Sequence, residues 1–349
     1  MCNMVNLVDI GTHKLGPGHP CFVIAEAGVN HNGSLDLAFE LVDAAIRAGA
    51  DAVKFQAFQA KNLVSKGTPK ADYQKETTGG KESQFDLLKS LELGTDEHRN
   101  LQNYCRERNI VFLSSPFDIQ SGDFLDEIDI PAFKIPSGEI TNWPFLKHLA
   151  GKGRTLILST GMSNLGDIEG ALQILEDGGL KRCNVVILHC NTEYPTPFED
   201  VNLRAMKTIG RAFQVVTGYS DHTRGIEVAV AAVALGACVI EKHLTLDRTL
   251  SGPDHQASIE EAEFLTMVKA IRNVEQALGS SLKVPSESEK RNMAVARKSL
   301  VAACDIREGE VFSEDNLTVK RPGTGIDPRR WQDMLGQKAS RTFCKDELI

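Results

Sequence analysis

The sequence has no apolar run long enough to cross a membrane: its longest, Val228 to Ile240, is interrupted by Gly236 and falls short of the roughly 20 residues that a spanning helix needs. Met1 to Gly11 carries Asp9 among isolated apolar residues and has no basic start followed by an apolar core, so a cytoplasmic protein is expected. Lys345-Asp346-Glu347-Leu348 looks like an ER retention signal, but Ile349 follows it and nothing supplies a route into the ER, so the match is set aside. The eight cysteines, at 2, 21, 105, 183, 190, 238, 304 and 344, contain no Cys-x-x-Cys spacing, which argues against structural zinc or a redox pair. Most are expected to be reduced, buried small residues. Basic charge is also short: 39 Lys and Arg against 47 Asp and Glu give a net charge of −8, which argues against broad nucleic-acid binding. An anionic ligand would therefore need locally placed positive charge.

What is present is an ordinary globular composition, 42% hydrophobic and 25% charged over 349 residues. Short β-branched and apolar runs recur at Phe22-Ala25, Ala52-Gln56, Ile110-Ser114, Ala132-Ile135, Thr155-Ser159, Val185-Cys190, Gln214-Gly218 and Ala237-Lys242. Helical patterns lie between most of them. Ser34 to Ala48, for example, puts Leu35, Ala38, Leu41, Val42 and Ala45 on one face, with Asp36 in the first turn. Alternating strands and helices imply a parallel sheet, and eight such units without a Gly-x-Gly-x-x-Gly turn after the first strand predict a (β/α)₈ barrel over residues 1–282. The long polar stretch Lys61 to Leu93 breaks the rhythm and reads as a lid or substrate wall, or as a plain surface insertion. After a helix over Ile259 to Leu278, residues 283–293 read as a linker. The remainder, 294–349, reads as a small module with strand signals at Ser299-Ala303, Glu310-Phe312 and Leu317-Lys320. So small a unit has little core of its own and is expected to lean on a barrel, its own or another subunit's.

Barrel chemistry sits at the C-terminal ends of the strands, and polar residues gather at every one of them. His222 and His243 close consecutive strands, beside Asp221 and Glu241, so their imidazoles can converge as ligands of a divalent metal such as Mn, Mg, Co or Zn. Each can equally be an ordinary hydrogen-bonding histidine. Lys54 and Lys134, with hydroxyls from Ser115, Ser137, Ser159 and Ser220, suit a phosphorylated small molecule. The lysines can instead pair structurally with Glu26 and Glu139, or one can form a Schiff base with a carbonyl substrate. Glu26 and Glu139 are the acid/base candidates, with orientation of a sugar hydroxyl as the alternative. Asn30-His31-Asn32-Gly33 reads either as part of the site or as a turn and cap.

Taken in order, Ile24-Ala-Glu-Ala-Gly-Val-Asn-His-Asn-Gly33, Val53-Lys-Phe-Gln56, Lys134-Ile-Pro-Ser-Gly-Glu139, Leu158-Ser-Thr-Gly-Met162, His189-Cys-Asn-Thr-Glu-Tyr-Pro-Thr-Pro197, Gly218-Tyr-Ser-Asp-His222, Glu241-Lys-His243 and Ser251-Gly-Pro-Asp-His255 resemble the sialic acid synthases. The likeness runs into the tail, where Val319-Lys-Arg-Pro-Gly323 is similar to the antifreeze-like (SAF) domain that closes those enzymes. The resemblance implies condensation of phosphoenolpyruvate with the open-chain aldehyde of N-acetylmannosamine, giving N-acetylneuraminate and phosphate. Enzymes that make N,N'-diacetyllegionaminate share nearly all these motifs and use a 2,4-diacetamido-2,4,6-trideoxymannose instead. Pseudaminate synthases fit less well, because their first-strand motif differs from Ala25-Glu-Ala-Gly28.

By the same resemblance, Lys54, Ser115, Lys134, Ser137, Ser159, Thr192 and Ser220 would bind phosphoenolpyruvate. His222 and His243 would hold the metal, Mn²⁺ first with Mg²⁺ or Co²⁺ as alternatives. Glu139 or a metal-linked base would guide water, while Glu26, Gln56, Tyr194 and Asp254 would orient the sugar. Arg321 would reach across a domain-swapped homodimer to the N-acyl group of sugar in the partner barrel; otherwise it is an exposed loop charge. Ser114-Ser115 stands where relatives often carry Ser-Thr, and Asn191-Thr192 where some carry Thr-Asn; both retain polar donors. A Schiff-base sialic acid lyase and a non-catalytic carbohydrate-binding barrel remain as rivals from other classes. The acceptor-discriminating residues are expected in the 61–93 segment and around Arg321.

Overall fold

A computed structural model describes residues 7–65, 67–70 and 83–349. The chain divides into two compact units, Met1–Gly279 and Ser280–Ile349. In the first, eight parallel strands form a nearly closed barrel: β1 Phe22–Gly28, β2 Ala52–Ala57, β3 Val111–Pro116, β4 Ala132–Ile135, β5 Thr155–Ser159, β6 Val185–Cys190, β7 Val216–Asp221 and β8 Val239–Thr245. Their order is β3-β2-β1-β8-β7-β6-β5-β4, so the last strand returns beside the first, and among the described residues no ladder joins β3 to β4.

All eight expected strands are present, but β1, β7 and β8 run three residues further at their C-terminal ends than the apolar pattern indicates. Those extra residues include Glu26, Ser220 and His243. They are strand residues whose side chains face the barrel interior, and their polarity disguised the strand as a loop.

Strand alternation sorts side chains between two environments. Val23, Ala25, Val53, Phe55, Phe133, Leu156, Leu158, Ile187 and Ile240 face outward into one core with the helices. Phe22, Ile24, Ala52, Leu113, Ala132, Ile157, Val186, Leu188, Val216 and Val239 fill the lower interior. An N-terminal hairpin that the sequence reading missed, Val8–Ile10 with His13–Leu15, joins this interior cluster through Val8, Ile10 and Leu15. At Gly218 the walls come so close that an added Cβ would lie 2.3 Å from the Val239 carbonyl oxygen.

Helix α1 (Leu35–Arg47) starts where expected: the Ser34 hydroxyl accepts from the Leu37 amide, and Ala38, Leu41, Val42, Ala44 and Ala45 are buried. Within the 61–93 segment, Ala60–Leu63 makes one helical turn and α2 (Gln84–Ser90) is capped by a reciprocal Ser83–Asp86 box. Residue 66 and residues 71–82 of that stretch, like Cys2, lie outside the described residues. The cysteines depart from expectation. Cys21, Cys105 and Cys190 are buried, whereas Cys183, Cys304 and Cys344 are exposed, all as free thiols.

In the second unit, helix α3 (Glu287–Ala296) occupies much of the stretch read as a linker; it begins with a Ser286–Glu289 capping box and buries no side chain. Strands β9 (Ser299–Ala302) and β10 (Leu317–Lys320) pair antiparallel over a core of Leu300, Ile306, Phe312, Leu317, Met334 and Phe343. The expected strand at Glu310–Phe312 is only an isolated antiparallel bridge, Val311 to Lys338, flanked by bonds from the Ala339 amide to the Glu310 carbonyl and from the Phe312 amide to the Gln337 carbonyl.

One buried ion pair ties β7 to β8 on the helix side of the wall. The Lys242 ammonium donates to Asp221 Oδ2 at 2.7 Å and to the Thr223 carbonyl at 2.8 Å, while Asp221 Oδ1 accepts from the Thr223 amide and hydroxyl. Replacing Lys242 by Met leaves Asp221 as a buried charge without its cation, so Lys242→Met is expected to lower stability by about 3 to 5 kcal/mol. The shift in the urea unfolding midpoint, at unchanged slope, measures it; an unshifted midpoint contradicts the assignment.

Candidate active site

The interior-facing positions nearest the C-terminal strand ends are nearly all polar. Glu26 lies in register with Lys54 on β2 and with His243 on β8; Glu241 lies opposite Ser220, and Gln56 opposite Ser115. With the loops above them they enclose a cavity of about 470 Å³. Glu26, Lys54, Gln56, Ser115, Lys134, Ser137, Glu139, Ser159, Thr192, Tyr194, Ser220, His222, His243 and Asp254 all line it. Arg321 belongs to the other compact unit, where its Nε donates to the Ala296 carbonyl at 3.0 Å.

The floor is a connected charge network. Lys54 Nζ sits 2.6 Å from Glu26 Oε2, 3.6 Å from Glu241 Oε2 and donates to Ser115 Oγ at 3.1 Å. Lys134 Nζ donates to Ser159 Oγ at 2.8 Å and lies 3.4 Å from Glu241 Oε1. Glu241 Oε1 also accepts from Ser220 Oγ at 2.9 Å. Glu241 thus bridges both lysines, a place the sequence reading did not give it. The signal was available: Glu241 stands two residues before His243 on one strand, and alternation puts both on the same face. Asp221, considered beside the histidines, has the opposite parity and serves the Lys242 pair instead. By the same alternation His189 turns outward, its Nε2 paired with the Val201 carbonyl at 2.9 Å. Asn30 is structural, donating to the Leu244 carbonyl and Ser258 Oγ.

Burial raises the Glu26 carboxyl from 4.5 to about 7, against the pull of Lys54. Burial also opposes the Lys54 ammonium, but the carboxylates of Glu241 and Glu26 outweigh it and hold its pKa above the ordinary lysine value. At Lys134 burial wins and the pKa falls. Glu241 resists its own burial because Lys134 and Lys54 flank it, and its pKa drops to about 2. Asp254, buried with Lys54 as its main charged neighbour, rises to about 6.

On the other side, His222 Nδ1 sits 2.5 Å from the Asn191 carbonyl, which can only accept. The ring proton is therefore on Nδ1, and the Nε2 lone pair faces the cavity, 3.3 Å from Ser220 Oγ. His243 Nδ1 is buried with no hydrogen-bond partner. Burial lowers His222 to about 4 and His243 well below the usual histidine value, so both rings are neutral at pH 7. Their centroids are 5.6 Å apart, and Tyr194 packs against His222 at 4.2 Å. Two neutral imidazoles, one with its tautomer fixed by a carbonyl, fit a divalent metal. Among the described residues no cluster of three or more His, Cys, Asp or Glu could hold one, so other positions would be left to substrate or water.

A third group lines one corner of the cavity. Ser137 Oγ accepts from the Gly161 amide at 2.9 Å and lies 3.2 Å from Cys190 Sγ. A Cβ on Gly161 would sit 2.5 Å from Thr192 Cγ2, so only glycine leaves this corner open.

The NeuB family model matches residues 41–283 and the SAF domain model residues 297–349. The chain belongs to the NeuB family. It is 53% identical over 327 residues to an N,N'-diacetyllegionaminic acid synthase of Campylobacter jejuni subsp. jejuni, covering 94% of this chain and 98% of that one. To the N-acetylneuraminate-9-phosphate synthase of Homo sapiens it is 37% identical over 337 residues, 96% and 93% of the two chains. Among solved structures, the N-acetylneuraminic acid synthetase of Leptospira borgpetersenii in complex with citrate superposes with a TM-score of 0.74 at 35% identity, covering 84% of this chain and 97% of that one. The NeuB barrel and SAF domain are thus the architecture that the motifs implied.

The raised Glu26 value has a sign that can be checked in chelator-treated protein. Between pH 4.5 and about 7 the folded state holds a proton that the unfolded state has lost, so this group makes stability fall as pH rises. Glu26→Gln is expected to flatten the decline of the urea midpoint across that interval. Parallel wild-type and variant profiles contradict it.

Proposed function

We propose that the chain condenses phosphoenolpyruvate with the open-chain aldehyde of an N-acylated amino sugar and water, giving a nine-carbon 2-keto sugar acid and inorganic phosphate. The observation that carries this reading is the cavity floor: two buried lysines, each hydrogen-bonded to a serine, next to two neutral histidines, His222 with Nε2 toward Ser220 Oγ and His243 with a buried Nδ1 that has no hydrogen-bond partner.

Lys54, Lys134, Ser115 and Ser159, with the Ser137–Gly161–Thr192 corner and Ser220, would bind the phosphate and carboxylate of phosphoenolpyruvate. His222 and His243 would hold a divalent cation, Mn²⁺ first with Mg²⁺ or Co²⁺ as alternatives, whose bound charge polarises the sugar aldehyde. The enol carbon then bonds to the aldehyde carbon, the aldehyde oxygen takes a proton, and C2 becomes oxocarbenium-like. Water adds at C2 and loses one proton, which balances the one taken by the aldehyde oxygen; the C2–O bond to phosphate then breaks, phosphate leaves with the bonding pair and takes the second proton, and C2 becomes the ketone carbon. Glu241, lying between the two lysines, would be a fixed counter-charge to them. Glu26, poised near neutrality, can hold or release the proton at the new hydroxyl, and Glu139, held by Asn142 Nδ2 at 2.7 Å, stands where it can orient the water. Tyr194, Gln56 and Asp254 would orient the sugar.

Of the two acceptors, 2,4-diacetamido-2,4,6-trideoxymannose is favoured, giving N,N'-diacetyllegionaminate, because the chain shares 53% of residues with a synthase of that product and 37% with the N-acetylneuraminate-9-phosphate synthase. N-acetylmannosamine, giving N-acetylneuraminate, is the second reading. Arg321 would act from a partner subunit in a homodimer. The motif around it supports this, and so does an α3 with no buried side chain, which leaves that helix free to contact another surface.

Phosphate release from phosphoenolpyruvate by chelator-treated protein is expected only on adding Mn²⁺, and faster with the diacetamido sugar than with N-acetylmannosamine. His222→Ala is expected to reduce it by more than about 100-fold, the scale of a lost Lewis acid. Metal-independent turnover with free pyruvate, without phosphate release and trapped by borohydride, would replace this reading with a Schiff-base lyase.

A further inference from the structure

The upper cavity wall contrasts with its floor. Leu63, Val64, Leu87, Leu88, Leu91 and Phe117 face the same space as the lysines and histidines below. Leu87 and Leu91 are buried in an apolar cluster with Val29 and Phe58, separate from the main core, and Leu63, Leu88 and Phe117 pack against it. This wall is built to stay in place. The Ser83–Asp86 box fixes the start of α2. Its far end abuts Gly33, where φ is +75° and an added Cβ would meet the Ser90 carbonyl at 2.5 Å. Glu92 Oε1 accepts from the Ala60 amide at 2.6 Å, linking the end of the segment to its beginning.

Phosphoenolpyruvate and the hydroxyls of a hexose make no use of a leucine face, since a hydroxyl pressed against it loses water with no replacement partner. Methyl groups do. We infer that the Leu87–Leu88–Leu91 face of α2, with Leu63 and Phe117, is the subsite that reads the distal substituents of the acceptor, favouring a C6 methyl and a second acetamido methyl over a hydroxymethyl and a hydroxyl. This rests on the reaction proposed above and adds the side chains that select its acceptor. Leu88 is the half-buried member, in contact with both the cluster and the cavity, so it can be changed while Leu87 and Leu91 keep the helix anchored.

The test compares wild type, Leu88→Ser and Leu88→Met in the Mn²⁺-loaded full chain, by steady-state kinetics and by titration calorimetry with each sugar. Leu88→Ser is expected to lower kcat/KM for 2,4-diacetamido-2,4,6-trideoxymannose about tenfold, the scale at which an apolar pocket discriminates. For N-acetylmannosamine the change is expected to stay within about twofold, the KM for phosphoenolpyruvate is expected not to move, and Leu88→Met is expected to recover the preference. Equal losses on both sugars, or no loss on either, overturn the assignment. If wild type releases no phosphate with either sugar, the proposed reaction fails on its own. The calorimetric affinity ratio then decides the wall: a lower preference for the diacetamido sugar in Leu88→Ser supports it, and an unchanged ratio overturns it.

Discussion

Two ammonium groups in the middle of a barrel cannot remain charged unless anions meet them there, because charge without a partner is too costly in so dry a place. Glu241 answers that constraint, with one carboxylate oxygen on the side of Lys134 and the other on the side of Lys54. Its position requires β8 to run beside β7, so that Ser220 can donate to it, and β2 and β4, on either side of β3, to bring the lysines inward. Lys54 has a second partner in Glu26, the residue in register with it on β1. The barrel is therefore held at one end by packed side chains and at the other by a balanced set of charges. That second end is the one open to a ligand.

Strand positions were legible in the sequence because their lower halves are apolar and bounded by turn residues. Their upper ends were not, for a definite reason. Where a strand points Glu26, Ser220 or His243 into a polar interior, the chemical contrast used to recognise a strand disappears while the backbone pairing continues. Parity was the unused information. Alternation from the buried Val239 puts Glu241 and His243 inside and Lys242 outside, and the same count from Val216 puts Ser220 inside and Asp221 outside. Weighing Asp221 and Glu241 equally as neighbours of the histidines overlooked that the wall lies between them. The N-terminal hairpin was illegible for another reason: Val8, Ile10 and Leu15 are too few to show a period, and their burial comes from the strand starts they meet.

The histidines show what motif and geometry each contribute. Their places at the ends of consecutive strands paired His222 with His243, but spacing alone left open whether either was more than a hydrogen-bonding side chain. Geometry distinguishes their nitrogens. The Asn191 carbonyl takes the proton-bearing Nδ1 of His222 and leaves Nε2 toward the cavity, while His243 keeps a buried nitrogen with no protein partner. A structural histidine in so buried a place would ordinarily satisfy both nitrogens. The Leu87, Leu88 and Leu91 wall, by contrast, was hidden inside a stretch whose overall composition is polar, because two leucines on a short helix and a third just past its end are outweighed by the charged and small residues around them.

The two ends of the cavity also govern where water can come from. Below the charged floor lie Phe22, Ile24, Leu113, Ile157, Val186 and the hairpin residues Ile10 and Leu15, an apolar plug of buried side chains. Above it, an acceptor resting against the leucines would displace solvent from that side as well. In the proposed reaction C2 must remain unhydrated until the carbon–carbon bond has formed and must then take up a single water. An enclosure apolar beneath and covered by the substrate itself would delay that encounter. What stays accessible is the rim that carries Glu139, half-buried and fixed by Asn142. In the proposed reaction the carboxylate that would orient the water is thus one that solvent can reach, while Glu26, deeper and held near neutrality, would manage the proton of the new hydroxyl.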